Sequence, residues 1–471
     1  MPIDNRRKEE KSKAQREGAG GHSVATPKSA IIGKTGTEQL ILPSNQHNTY
    51  IPKIESIVSD DNIRRATAIV KRNKGAPGID GITIEEIDGV MYKQWPMIKQ
   101  AILEGRYFPI SVRKVEIPKS DGKGVRQLGI PTVMDRIIQQ AINQELVPLF
   151  DPLFSQHSYG FRPGRSAHQA VLQAKEYIQE GCDWVVDIDL EKFFDRVNHD
   201  MLMARVARQV KDKEILRLIR RYLQAGIMEN GLVHQQQEGT PQGSPLSPLL
   251  SNIMLDDFDK ELEKRGLRFA RYADDCNIYV KSEKAGKRVM ESVVRYLTKT
   301  LKLKVNEEKS AVDNPWNRQF LGFTFYKGSE TTKIAVHGSR IKRFKDKIRG
   351  ITKKMRGSKI TESIRKVMLP ITRGWANYFG LAELQGTFED LDGWVRRKIR
   401  GILWRQWKKA RTRYKRLVTL GIKPVVARKA AYSSKGPWRS SKTPVIHRAL
   451  SNIIIEEMGY IPMADIVRAR S

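Results

Sequence analysis

The chain predicts an α+β protein in which antiparallel hairpins carry the charged signals and a strongly basic all-α segment follows. Three observations predict it. RFARYADDCNIYVK, residues 268–281, sets two apolar or aromatic runs around adjacent carboxylates, a hairpin with Asp274 and Asp275 at its turn. In 106–131, Val112, Val115 and Ile117 precede a Ser120–Gly124 turn and Val125, Leu128 and Ile130 follow it, a second hairpin. From Arg340 onward, apolar residues recur at helical spacing among cations.

Composition narrows the function classes. With 471 residues there is room for several domains and a sizeable core. The formal net charge of +33 attracts polyanions, with nucleic acid ahead of an anionic membrane surface. That charge is uneven: Arg340 to Ser471 holds 33 Lys+Arg against 9 Asp+Glu, and five of the eight Trp. No apolar run of spanning length and no signal peptide is present, which argues against a membrane or secreted protein. Two distant cysteines, Cys182 and Cys276, fit a reducing compartment and exclude a Cys-rich zinc module.

In chain order, residues 1–49 are charged, Gly/Ser-rich and aperiodic, which predicts a flexible N-terminal arm. Residues 50–105 form a helical N-terminal extension interrupted by NKGAPGIDG (73–81). Lys71, Arg72 and Lys74 lead into this Gly-rich loop, which suits phosphates or serves as an ordinary connector. Arg113, Lys114, Lys119, Lys123 and Arg126 decorate the 106–131 hairpin, and a helix runs from Val133 to about Leu149. In SYGFRPGRSAHQA, Arg162 and Arg165 lie in a loop before a helix capped by Ser166. Trp184, Val185, Val186 and Ile188 make a buried strand ending in Asp187, Asp189, Glu191 and Asp195. A metal site on a rigid element and a helix cap at Asp189 both fit that ending.

Helices fill roughly 200–228, Asn230-Gly231 marks a turn, and GTPQGSPLSPLLSN precedes a helix to about Lys264. There Gly243 permits close backbone approach and Gln242 offers hydrogen bonds; a plain Pro/Gly loop is the alternative. After a helix at 284–302, 302–312 reads as a strand, a turn and Lys309, and 319–328 as a further strand and turn. Leu391, Val395, Ile399 and Ile402 form an apolar helical stripe. The end reads as a polar loop around Trp438 followed by one short apolar helix, HRALSNIIIEEMG.

Alone, Asp274-Asp275 is a solvated turn. Paired with Asp189 from another strand, it suits nucleotide transfer, which needs two divalent ions a few ångströms apart. Lys119 and Arg126 could then supply cations to the leaving group.

DLEKFF, QGSPLSP, YADD, a Lys after V-N, and FLGF, in this order, resemble the reverse-transcriptase motif series. NKGAPGIDG, RQLGIP, SYGFRPGRSAHQA, DLEKFFDRVNH, EGTPQGSPLSPLLSN, RYADD and ITRGWANYFG are similar to the bacterial group II intron-encoded reverse transcriptase/maturase branch, over roughly residues 60–410. The resemblance implies a right-hand polymerase: fingers and palm with an antiparallel sheet at 106–335, an all-α thumb or maturase domain at 336–410, and a basic DNA-binding region at 411–471.

It also implies roles. Asp189, Asp274, Asp275 and the Leu190 carbonyl hold two Mg²⁺, with Mn²⁺ as a substitute. Phe194 excludes a 2′-hydroxyl, so dNTPs are preferred. Lys119 and Arg126 grip the triphosphate, Gln242 and Gly243 touch the template or nascent pair, and Lys309 assists the leaving pyrophosphate. Asp187 and Asp195 flank the site as support. Lys71, Lys74, Arg162, Arg165, Arg373, Trp375, Arg396, Arg397, Lys398, Arg400, Lys408, Lys409, Trp438 and Arg439 contact nucleic acid. The implied partners are group II intron RNA and target DNA, with no membrane, in the bacterial cytoplasm and on the nucleoid when DNA is engaged. No Cys follows Cys276, so no nuclease module is expected, and priming from an existing DNA 3′ end is. A splicing cofactor without polymerase activity, or a retron, diversity-generating or CRISPR-linked enzyme, remains the alternative.

Overall fold

The computed structural model describes residues 51–118, 125–229, 232–234, 239, 243–328, 331–384 and 386–470. The expected arm at 1–49 lies outside the described residues.

Among the described residues, ten strands form three sheets: β1 (Val112–Pro118), β2 (Val125–Ile130), β3 (Trp184–Ile188), β4 (Ile227–Glu229), β5 (Leu232–His234), β6 (Arg268–Tyr272), β7 (Asp275–Val280), β8 (Ala311–Asp313), β9 (Phe323–Lys327) and β10 (Thr332–Val336). The orders are β2-β1-β4-β5, β6-β7-β3-β8 and β10-β9. Every pairing is antiparallel except β1 with β4. Both expected hairpins form, with Pro118 opposite Val125 and Tyr272 opposite Asp275.

The β6-β7-β3-β8 sheet is covered on both faces, and the two-residue period of a strand sorts its side chains. Val186, Ile188, Cys276, Ile278 and Val280 enter one core with the helices Val133–Phe150, His199–Gln209, Lys213–Gln224 and Ser247–Lys264. Val185, Ala270 and Tyr279 enter a second core with Ala167–Gln179 and the C-terminal helices. Local signals set the helix starts. Thr132 Oγ1 accepts from Asp135 N at 3.0 Å, and Ser166 forms the expected cap with Gln169 in a reciprocal box.

Three expectations about the chain's second half are corrected. β10 was not anticipated; it pairs with β9 and closes the sheet that receives the next helix, Gly338–Lys354. In 302–312 the strand follows the turn, and Val305 makes only an isolated bridge to Leu190. The C-terminal reading also changes. Trp438 sits on the short helix Pro437–Ser440, and HRALSNIIIEEMG is broken between Pro444–Ala449 and Asn452–Glu457. The break has a physical cause: Ser451 Oγ caps the second helix, and the Leu450 carbonyl accepts from buried Arg400 Nε at 2.7 Å. Leu450, Ile455, Tyr460 and Met463 lie in the same core as Leu391, Val395 and Ile399, so 411–470 shares a core with the basic helices before it.

Candidate active site

Period two along β3 and β7 builds the site. Asp187 pairs with Asn277 and Ile188 with Cys276; one further step sets Asp189 opposite Asp275. Asp187, Asp189 and Asp275 therefore share the sheet face opposite the Ile188/Cys276 core. The turn is refined from the expected one: Ala273 and Asp274 form it, and Asp275 is the first residue of β7. Ala273 holds a positive φ of 59°, a strained conformation for an L-residue.

Buried polar contacts hold that turn. Arg271, 1% exposed, points into the opposite core, as its neighbour Phe269 two residues earlier does. It donates to both Asp259 carboxylate oxygens at 2.6 and 2.5 Å, to Asn252 Oδ1 at 3.1 Å, to Ser158 Oγ at 2.8 Å, and to the Ala273 carbonyl at 2.8 Å. The SYGF loop runs alongside: Tyr159 N donates to Arg271 O, and a Cβ on Gly160 would fall 2.4 Å from Ala273 N. Neither Arg271 nor Asp259 was singled out by sequence; a cation on the inward phase of an apolar strand was the available signal.

The loop at 304–310 pins Asp189. Asn306 N donates to its carbonyl at 2.8 Å, its own N–H donates to Ser310 Oγ at 3.0 Å, and Lys309 Nζ stands 3.6 Å from its carboxylate. Arg318 donates twice to Asp187 Oδ2, at 3.0 and 2.6 Å, and to the Lys309 carbonyl at 2.6 Å. Asp187 is thus paired with Arg318. Burial pushes the Asp275 carboxyl well above the usual range, with Asp187, Asp274 and Asp189 adding to the rise and Arg340 opposing it. Among the described residues no three Asp, Glu, His or Cys side chains converge into a ready metal cage. The donor set is nonetheless oxygen-only and over-supplied with negative charge, which suits a hard divalent cation.

Phe194 lines a cavity of about 420 Å³ together with Phe161, Gly243, Ser244, Arg136 and Val70. Phe161 also packs on Tyr272, the last residue of β6 before the turn, ring centroids 6.0 Å apart. Gly243 has φ 111°, and a Cβ there would fall 3.2 Å from the Gly129 carbonyl, so the close approach it permits is to β2. Lys119 and Gln242 lie outside the described residues, as does the Arg126 side chain. Leu190 is buried and bridges Val305.

Two expected polyanion contacts are corrected, Arg162 and Arg400. Arg162 is 4% exposed and spends its guanidinium on Asp151 and the carbonyls of Asp151, Ser155 and Ser158. Arg400, 3% exposed, serves Leu450 O and Asn452 Oδ1. Trp375 packs between Phe344, Phe379 and Phe388, with centroids 4.7 to 5.7 Å away. Both guanidiniums are buried and must find protein partners, whereas Trp375 stays partly exposed at its aromatic cluster. By contrast Lys74, Lys408, Lys409 and Arg439 are exposed, while Lys71, Arg165, Arg373 and Arg396 are half-buried; Lys71 pairs with Asp88 and Arg165 lies over Tyr159. Arg397 and Lys398 lie 3.6 and 4.5 Å from the centroid of the Trp438 ring, which shelves both cations at the surface.

A family described as "Reverse transcriptase (RNA-dependent DNA polymerase)" matches residues 117–325, and one described as "Group II intron, maturase-specific domain" matches 341–421. Protein YkfC of Escherichia coli (strain K12) is 33% identical over 296 residues, 54% of this chain and 77% of that protein. The group II intron-encoded protein LtrA of Lactococcus lactis subsp. cremoris is 38% identical over 199 residues, 42% of this chain and 33% of the relative. The putative COX1/OXI3 intron 2 protein of Saccharomyces cerevisiae is 35% identical over 231 residues, 48% of this chain and 26% of the relative. This chain therefore spans a third or less of those two intron proteins. A chain of a partial Cas6-RT-Cas1–Cas2 complex is 27% identical with a TM-score of 0.35, covering 52% of this chain and 42% of that one.

Proposed function

This chain belongs to the reverse transcriptases that carry a group II intron maturase-specific domain, and we propose that it extends a DNA primer on RNA and binds intron RNA to promote splicing and retrohoming. The observation that carries the reading is the register that sets Asp189 beside Asp275, on one sheet face and next to Asp274.

In this reading 106–335 forms fingers and palm, 336–410 the thumb, and 411–471 a basic DNA-binding region. Two Mg²⁺ ions, with Mn²⁺ as a substitute, would be held by Asp189, Asp274, Asp275 and the Leu190 carbonyl. When bound, they supply activation of the primer 3′-hydroxyl and charge neutralisation on the triphosphate. The chain's own residues do the rest. Lys119 and Arg126 hold the triphosphate, and Gln242 and Gly243 line the nascent pair. Lys309, held toward Asp189 by Arg318, donates a proton to the leaving pyrophosphate. The Phe194 ring, at the cavity wall, takes the space a ribose 2′-hydroxyl would need. No described helix is long and apolar enough to cross a membrane. A bacterial cytoplasmic location, on the nucleoid when DNA is engaged, belongs to the same reading.

The test is dNTP incorporation by the full chain on a primed RNA template with Mg²⁺; no template-dependent extension overturns the proposal. Phe194→Ala is expected to keep dNTP incorporation and raise rNTP incorporation about tenfold or more, since removing a steric block is worth about 1–3 kcal/mol of discrimination. Single-nucleotide kinetics with dCTP and rCTP check it.

The contrast between exposed and buried basic residues gives a separate expectation. Lys408→Ala with Lys409→Ala should weaken RNA binding and flatten its salt dependence by about one to two counterions. Arg400→Met should leave that slope alone and lower the melting temperature, because it strips the Leu450 carbonyl of its donor. Filter binding across a salt series, with thermal denaturation, separates the two.

A further inference from the structure

The chain entering β1 and the chain leaving β2 meet at one buried carboxylate. Asp135 lies in the first turn of the helix Val133–Phe150 and is 1% exposed. Its Oδ2 accepts from Thr132 Oγ1 at 2.7 Å and from Ile110 N at 3.4 Å. Its Oδ1 accepts from the Tyr107 hydroxyl at 2.7 Å and the Tyr222 hydroxyl at 3.1 Å. Tyr107 and Ile110 stand just before β1, and Thr132 just after β2. Tyr222 comes from the helix Lys213–Gln224. Its neighbour Arg221 holds the same approach to β1, donating to the Gly105 and Tyr107 carbonyls at 2.8 and 2.7 Å.

All four donors are neutral groups. Burial pushes the Asp135 carboxyl up, and the hydrogen bonds from Tyr107, Thr132, Tyr222 and Ile110 pull it back. Burial also raises both phenols, so each keeps the proton it donates. A buried carboxylate met only by neutral donors is costlier than an apolar side chain in the same space. A fully satisfied polar network does something an apolar contact does not: it fixes one geometry. The helix that carries Asp135 also lines the cavity at Phe194, through Arg136 and Gln140. Within its first two turns Arg136 Nη2 donates to the Ala76 carbonyl at 2.8 Å, and Gln139 accepts from Ser244 Oγ. The start of one helix therefore references the β1–β2 hairpin to two other loops around that cavity.

We propose that Asp135 is a positioning residue for nucleotide addition, setting the direction of the β1–β2 hairpin by tying both of its ends to one carboxylate. The inference rests on the polymerase reading, in which that hairpin carries Lys119 and Arg126 to the triphosphate. Asp135 itself touches no substrate. Apart from these ties, the strand pairing that orients the hairpin is confined to its foot, where Val112 and Arg113 pair with Ile227 and Met228 of β4. β1 then runs on to Pro118, paired only with β2. A tilt at the foot is thus carried over about 20 Å of strand. Displacing a binding group by about 1 Å is enough to weaken a reaction that depends on position.

The experiment compares full-length wild type, Asp135→Asn, Tyr107→Phe and Tyr222→Phe in single-nucleotide addition to a DNA primer on an RNA template. Duplex Kd without dNTP and a melting curve are measured on each preparation. Asp135→Asn turns one acceptor oxygen into a donor, and Tyr107→Phe removes a single hydroxyl. The first is expected to raise the dNTP KM about tenfold and the second about threefold, with kcat within about twofold and duplex Kd unchanged. The two rises should not add in the double variant, because both break the same tie. Tyr222→Phe frees a donor on the helix Lys213–Gln224 and neither end of the hairpin; it should lower the melting temperature and leave KM alone. If Asp135→Asn does not fold, Tyr107→Phe decides. An unchanged dNTP KM overturns the proposal, as does an equal rise in Tyr222→Phe or a parallel loss of duplex binding. If wild type fails to extend the primer, the polymerase reading fails. If it extends and KM is indifferent to these ties, only this inference fails.

Discussion

Asp274→Ala is expected to cut primer extension by about 10³-fold or more, roughly 4 kcal/mol of barrier, while leaving the fold and RNA binding in place. Asp274 sits on the two-residue turn between β6 and β7, where it contributes charge and not core. Removing it takes one carboxylate from a face where Asp187, Asp189 and Asp275 already repel one another. The folded chain should therefore melt no lower than wild type. Steady-state extension, salt-dependent RNA binding and a melting curve on the same preparation check all three points. Retained extension at wild-type rate would remove the turn from the chemistry.

Arg271→Leu is expected to destabilise the protein by about 3–5 kcal/mol, the usual consequence of breaking one side of a buried ion pair. Asp259 is 0% exposed and would be left charged in a core, and the carbonyls and amides that Arg271 satisfies would lose their donors. Asp259→Leu alone should be comparably costly. The double variant Arg271→Leu/Asp259→Leu should be less destabilised than the sum, because no orphaned charge remains. It should still extend primers poorly, since the Ala273 carbonyl has lost the contact that fixes the Asp274 turn. Denaturant melts resolve the stability cycle; extension rates of whatever folds resolve the positioning. Full activity in the double variant would show the pair to serve stability alone.

Patterns of short range were legible. The alternating runs on either side of Asp274-Asp275 named the hairpin, and Ser166 with Gln169 named a capping box. Asp189 was legible only as the acid end of a buried strand, which fits a helix cap as well as a metal site. What misled was exposure. Arg162 and Arg400 were read as polyanion contacts because they sit among other cations, yet both are turned inward and spent on the protein. A one-dimensional charge count cannot tell a cation facing solvent from one holding a carbonyl that is fifty residues away.

By itself the sequence determined the antiparallel hairpins, the basic helical C-terminal segment, and the carboxylates Asp189, Asp274 and Asp275, because strand period, turn chemistry and helix spacing are local. Only the tertiary structure decided that Asp189 and Asp275 flank the Ile188–Cys276 pair and that Arg271 grips Ala273 from the far side of the sheet. Those are choices of register and packing between segments distant in the chain. They follow from which faces must be buried together, which no local pattern records.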